Sequence, residues 1–106
     1  MNSRKKGSRI EREYKELKES QGYICEKTKA NRWGNQDYWN TFDVMGFHLE
    51  KNEMFFAQVK SNSTRGAIHK IKDFKMPTFI KKIVAVRYDK GTKEEKKHGM
   101  WREIVV

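Results

Sequence analysis

The sequence predicts an α/β domain, a small mixed β-sheet flanked by helices, with the element order α-β-β-β-α-β-β. Near the start, Ile10, Tyr14, Leu17 and Gln21 recur at helical spacing. Short runs rich in aromatic and β-branched residues follow, separated by turn formers, as in "GYICEKT" and "FFAQVKSN". Helical spacing then returns at Ala67, Ile68, Ile71 and Phe74, ahead of two further strand-like runs.

Residues 1–7 read as a basic, flexible arm, and residues 8–106 as a single domain. Ser8 can cap a helix, and Glu11 three positions later completes a capping-box pattern, so the first helix is expected from Ser8 to Ser20 with Gly22 ending it. Tyr23 to Lys27 is the first strand. The polar stretch "KANRWGNQDYWN" reads as a loop whose Trp33 and Trp39 either fold onto the core or face a partner. Thr41 to Phe47 and Met54 to Lys60 are the second and third strands, joined by a polar hairpin connection. Ser63 or Thr64 caps the second helix, and Pro77 stops it. Ile80 to Tyr88 is a strand, "DKGTKEEKKHG" a charged turn, and Met100 to Val106 the last strand.

The chain has 106 residues and can build one modest core. Its 24 Lys and Arg outnumber 14 Asp and Glu, giving a formal charge of +10. Such an imbalance favours polyanions as partners, nucleic acid first among them. Cys25 is the only cysteine, which excludes an intrachain disulfide and a thiolate metal centre, and suits a reducing, intracellular setting. Cys25 reads as a small buried residue. "MNSRKKGSR" has no apolar run behind it and is not a secretory signal. No segment approaches the roughly 20 apolar residues of a membrane span, so a soluble protein with no membrane partner is expected.

The chemistry lies in "FDVMGFHLEKNEMFFAQVKSN". Asp43, Gln58 and Lys60 stand inside the most hydrophobic runs, where polar groups cost free energy unless paired. Gln58 and Lys60 share one face of a strand. An antiparallel hairpin turning near Lys51 brings Asp43 level with them. Asp43 offers a hard oxygen for Mg²⁺, and the Gln58 amide oxygen a neutral ligand beside it. Lys60 can hold a phosphate or offset charge in a transition state. A buried Asp–Lys ion pair, with Gln in its hydrogen-bond network, fits the same spacing.

Asp43 followed by Gln58-Val59-Lys60 resembles the PD-(D/E)XK nuclease motif. "KKGSRIERE" resembles the first helix of archaeal Holliday-junction resolvases, and "DYWNTFDVMGF…FFAQVKSN" a small nuclease-like family. The likeness covers roughly residues 5–65 and implies a restriction-endonuclease-like core. It also implies Asp43 as the main metal ligand, Gln58 as the second, Lys60 as the catalytic lysine, and Glu11 as the acid of helix one. Mg²⁺ is the implied cofactor, with Mn²⁺ able to substitute. Two residues depart from the motif: Gln58 replaces its usual acid, and Phe42 replaces the proline before Asp43. Glu13 competes with Glu11, since it lies nearer the apolar stripe of the helix. Asp37 is a further candidate ligand or a turn former. His48, His69 and His98 lack metal-ligand spacing.

The function implied is a metal-dependent DNA endonuclease, with branched DNA as the favoured substrate and a homodimer for symmetric cutting. Arg4, Lys5, Lys6, Arg9, Lys29, Arg32, Arg65, Lys70 and Lys72 are the expected phosphate contacts. The alternatives are a nuclease for flap, nicked or single-stranded DNA, and a non-catalytic nucleic-acid-binding module.

Overall fold

The computed structural model describes residues 3–28, 30–31, 34–35, 41–97 and 99–106. In chain order the elements are α1 (Ser3–Ser20), β1 (Ile24–Lys27), β2 (Ala30–Asn31), β3 (Gly34–Asn35), β4 (Val44–His48), β5 (Glu53–Ser61), α2 (Ala67–Asp73), β6 (Ile80–Arg87), α3 (Lys93–Lys97) and β7 (Trp101–Val105). The chain is α/β, built on a five-stranded mixed sheet in the order β1-β4-β5-β6-β7. β5 and β6 run parallel, joined through α2, and the other neighbours are antiparallel. A two-stranded ribbon, β2 with β3, lies within the stretch read from sequence as loop. No helix among the described residues is long and apolar enough to cross a membrane.

β5 organises the core because it is apolar on both faces. Its residues alternate strictly, and each face meets a different helix. Phe55, Ala57 and Val59 join Ile10 and Tyr14 of α1, with Cys25, Val44, Ile83, Ala85 and Trp101. Phe56 joins Ala67 and Ile71 of α2, with Phe42, Val84 and Val86. Tyr14 is fully buried, edge-on to Phe55 at 6.1 Å between ring centroids and tilted against Trp101 at 5.2 Å. Gly46 is required where β4 crosses beneath this cluster. A Cβ there would lie 2.7 Å from the Phe55 ring and 2.8 Å from Cys25 Sγ.

Several sequence expectations are corrected. α1 begins at Ser3, so residues 3–7 form its first turns and not an arm, and Ser8 is inside the helix without a cap role. Lys and Arg are good helix formers, so the basic run extends the helix instead of fraying from it. At α2, neither Ser63 nor Thr64 is the cap. Gly66 occupies that position with φ +77° and no side-chain cap bond, while Ser63 Oγ accepts from the Arg65 N–H at 3.0 Å. The charged turn contains α3. Thr92 Oγ1 accepts from the Glu95 N–H at 3.3 Å and Glu95 Oε2 from the Thr92 N–H at 3.4 Å, a reciprocal capping box.

The C-terminal end of α2 is closed by a lysine from the sheet. Lys82 Nζ donates to the carbonyls of Phe74 (2.8 Å), Ile71 (3.0 Å) and Lys72 (3.5 Å). A cation there also complements the helix dipole. Lys82→Met is expected to lower unfolding free energy by about 1–2 kcal/mol, because orphaned helix carbonyls lose a charge-assisted donor. Urea denaturation followed by circular dichroism measures this, and a loss below a few tenths would assign the clamp no energetic role.

Candidate functional site

The site is built where β4 diverges from β5. Val44 pairs with Ala57, which puts Asp43 alongside Gln58. In a regular strand the N–H and C=O of one residue point to the same neighbour. At Asp43 they do not: its N–H donates to the Ala57 carbonyl (2.8 Å), and its carbonyl accepts from the Thr28 N–H (2.9 Å). The chain therefore bends at Asp43. β4 begins only after it, at Val44, and the Val59 N–H opposite the bend meets a side chain instead of a strand carbonyl. Asp43 supplies it, with Oδ2 accepting from Val59 N at 2.9 Å. Its carboxylate thus lies in the plane of the sheet and is buried.

Gln58 and Lys60 follow on β5 and, by alternation with Phe56, face the α2 side. Both are half-buried. Gln58 Oε1 is a buried oxygen that accepts no hydrogen bond from the described residues. A buried amide oxygen without a donor costs about 1–3 kcal/mol, so its orientation calls for a ligand. Among the described residues no three His, Cys, Asp or Glu side chains gather into a metal site. The available donors are a carboxylate and an amide carbonyl, both hard oxygens of the kind Mg²⁺ and Mn²⁺ accept. The donor set fits such an ion in kind and is sparse in charge.

Glu11 comes from the other layer, buried on the stripe of α1 that carries Ile10 and Tyr14. The direction of α1 places it at the right end of the sheet. Arg87, in register with Ser61 at the end of β5, donates to Glu13 Oε2 at 3.2 Å. Lys18, later in α1, lies over the Tyr23 and Phe55 rings near the start of β5. Glu11 and Glu13 are therefore both at the end that holds Lys60. Glu13 is outward and ion-paired, and Glu11 inward.

In comparisons with protein-family models, curated proteins and solved structures, this chain has no match. Its site is therefore read from its own atoms.

The expected phosphate contacts separate into groups. Arg4, Lys5, Lys6 and Arg9 lie along the first turns of α1, with Arg9 exposed. Arg65 lies just before α2, and His69, Lys70 and Lys72 are exposed on it. Lys29, Arg32, Trp33, Asp37, Trp39 and His98 lie outside the described residues. His48 takes part in the hairpin's own packing. Its Nδ1 accepts from the Lys51 N–H at 3.1 Å, and its ring packs edge-on to Tyr23 at 5.1 Å. Cys25 is buried, and burial pushes its thiol up to about 11.

Sequence reasoning missed a polar network on the α1 face of the sheet, reaching from Glu53 at the start of β5 to Glu103 in the middle of β7. Glu103 Oε2 of β7 accepts from Tyr14 Oη (2.7 Å) and Lys18 Nζ (3.1 Å). Glu53 accepts from Tyr23 Oη (2.5 Å) and Lys81 Nζ (3.0 Å). Burial, then Glu103, holds Tyr14 well above the usual tyrosine range. Burial and the Glu53 hydrogen bond push Tyr23 up to about 12. The Tyr23 and Lys81 donors hold Glu53 below the usual carboxylate range. Tyr14 and Lys18 were visible as helix positions, but nothing local in the sequence tied them to Glu103.

The two faces of the sheet make opposite predictions. Gln58→Leu, measured in metal-free buffer by urea denaturation, is expected to leave stability unchanged or raise it by up to about 1 kcal/mol, since an unpaired buried oxygen is removed. A loss above about 1 kcal/mol would mean that the amide is already satisfied. The tyrosines are favoured neutral in the fold, so their contribution is fully present below about pH 10, the ordinary tyrosine value, and is lost as pH rises toward 12. Glu53 has the reverse sign, and its contribution is lost as pH falls below about 4.5. Melting temperature against pH should therefore fall at the alkaline end, and Tyr23→Phe should reduce that fall.

Proposed function

We propose that this chain is a metal-dependent DNA endonuclease hydrolysing phosphodiesters, with branched DNA, a Holliday junction above all, as its substrate. The observation that carries the reading is the buried, acceptor-only Gln58 Oε1 beside the Asp43 carboxylate and two residues from Lys60. Apart from the β2–β3 ribbon and α3, the chain runs α-β-β-β-α-β-β, an α/β order compatible with that reading. An ion pair between Asp43 and Lys60 would leave the orientation of Gln58 without a purpose.

Asp43 and Gln58 are the residues that hold Mg²⁺ or Mn²⁺ in this reading, with Glu11 acting directly or through water. The bound ion supplies Lewis-acid polarisation of the phosphate and a water that ionises more readily. Asp43 is pre-oriented by the Val59 N–H, so it needs no reorganisation to bind. Lys60 contacts a non-bridging phosphate oxygen and offsets the charge that develops on the phosphorus oxygens. The basic residues of α1 and α2 hold the DNA backbone on either side, positioning it without reading sequence. Symmetric cutting of a junction uses two copies of the chain. Val105 on β7 and Phe79 ahead of β6, both largely exposed, are apolar side chains that such a pairing would cover.

The test is a cleavage assay with Mg²⁺ on matched four-way junction, linear duplex, flap and single-stranded DNA, with Asp43→Asn as the blank. Asparagine keeps an oxygen for the Val59 N–H, so this variant separates charge from folding. Asp43→Asn should reduce cleavage by at least about a thousandfold, within the range for an electrostatic stabiliser, while binding changes only a few-fold. Gln58→Glu should lower the metal concentration needed. Binding should weaken steeply with salt. Paired nicks in the junction alone support the resolvase, and cutting of other substrates keeps the nuclease and removes the junction preference. Tight binding without Asp43-dependent cutting makes the chain a binding module.

A further inference from the structure

We infer that the open edge of β7 takes an extended peptide of another protein as an added antiparallel strand, with an arginine or lysine of that peptide opposite Glu103. The inference stands apart from the nuclease reading. β7 ends the five-stranded sheet, and among the described residues no strand lies beyond it. Towards β6, the Tyr88 N–H donates to the Met100 carbonyl, and the Val106 N–H to that of Lys82. By alternation, the backbone N–H and C=O groups of Trp101, Glu103 and Val105 point the other way, to the open edge. β7 pairs without a bulge from Trp101 to Val105 and contains no proline, so two of the usual guards against strand addition are missing.

A cleft of about 750 Å³ opens against the same edge, walled by Leu17 of α1, by α3, and by Trp101, Arg102 and Glu103. Successive strand residues point to opposite faces, so a space that touches all three lies beside the strand. The charges of its lining are Glu94, Glu95 and Glu103 against Lys97 and Arg102, with Lys18 behind Glu103. Lys93 and Lys96 of α3 lie outside the lining. The lining is therefore neutral in a chain of +10, which removes the attraction for nucleic acid there. Tyr14 Oη and Lys18 Nζ both donate to Oε2 of Glu103, whose side chain is 30% exposed. Oε1 remains as an acceptor for a cation. Directly opposite residues in an antiparallel pair share a face. A basic residue opposite Glu103 thus lays its stem in the cleft beside Leu17 and Trp101, and its apolar neighbours meet Ile104 and Val106 on the other face. Main-chain bonds then supply affinity and alternate side chains supply selectivity. A second copy of the chain fits less well. The register that uses all of β7 centres on Glu103 and sets two carboxylates opposite each other.

The probe is a short fluorescein-labelled peptide alternating Val with Arg, titrated with the full chain by fluorescence anisotropy. Net repulsion between a basic peptide and this chain weighs against non-specific binding. The peptide should bind about tenfold or more tightly than its analogue with Gln in place of Arg, the scale of one hydrogen bond to a charged group. Glu103→Gln keeps an acceptor for Tyr14 and Lys18, and should remove that preference. N-methylation of the Arg amides, which face β7 in this register, should weaken binding about tenfold or more, again the scale of a lost hydrogen bond or two. N-methylation of the Val amides should change it little. Val105→Pro removes one outward N–H and spares the bonds to β6, so it should weaken binding too. On the unaltered chain, amide exchange read by NMR should slow at Trp101, Glu103 and Val105 when the peptide is added. Equal losses from the two methylated peptides, or no slowing at those three amides, overturn the inference. Slowing at the same amides with rising chain concentration and no peptide overturns it in favour of a second copy.

Discussion

The structure depends on β5 being closed on every side except at its end. Phe55, Ala57 and Val59 are covered by α1, and Phe56 by α2, while β4 and β6 take the backbone hydrogen bonds along its two edges. A strand buried on both faces accepts polar residues only where one of its neighbours departs. That happens at Asp43, where the chain bends just before β4 and leaves the Val59 N–H to a carboxylate. The candidate site is therefore a consequence of how the central strand terminates. Its rigidity comes from packing on both sides of Gln58 and not from a dedicated loop.

The two faces of the sheet differ in how completely their polar groups are satisfied. On the α1 face, Glu53 at the start of β5 and Glu103 in the middle of β7 each receive one tyrosine hydroxyl and one lysine. Phenols and ammonium groups there meet acceptors at short distance, and the arrangement cross-links α1 to β7 and β1 to β5 and β6. On the α2 face Gln58 presents an oxygen to which no described residue donates. Natural chains keep such defects where a ligand compensates them. The fully paired network holds α1 in place, which in turn fixes where Glu11 and Glu13 stand relative to the site.

Much of the fold was legible because the strongest signals are periodic. The β4–β5 register follows from an apolar alternation and a short polar turn: the pairing of Val44 with Ala57 and of His48 with Glu53 centres the hairpin between Glu50 and Lys51, where the sequence places the turn. α2 was legible from Ala67 and Ile71. The start of α1 was not, because Ser8 and Glu11 satisfy a capping pattern, while the helix runs on through the Lys and Arg residues before them. α3 was hidden by its lysines, although Thr92 and Glu95 carry the same pattern and there it is realised. The Glu103 network joins residues from opposite ends of the chain, and local patterns do not contain that information. Within the site, the residue types and their alternation could be read. The unsatisfied state of Gln58 could not, since it depends on what every neighbouring side chain does.

Cys25 gives the molecule an internal reporter of its own breathing. It is the single thiol of the chain, it sits on an edge strand beside Gly46 and Phe55, and burial keeps it protonated. A sulfhydryl reagent can reach it only after β1 lifts from β4. Its modification rate therefore measures the opening frequency of that edge, and protection gained on adding DNA would map the ligand's grip onto the strand that enters the site from Thr28.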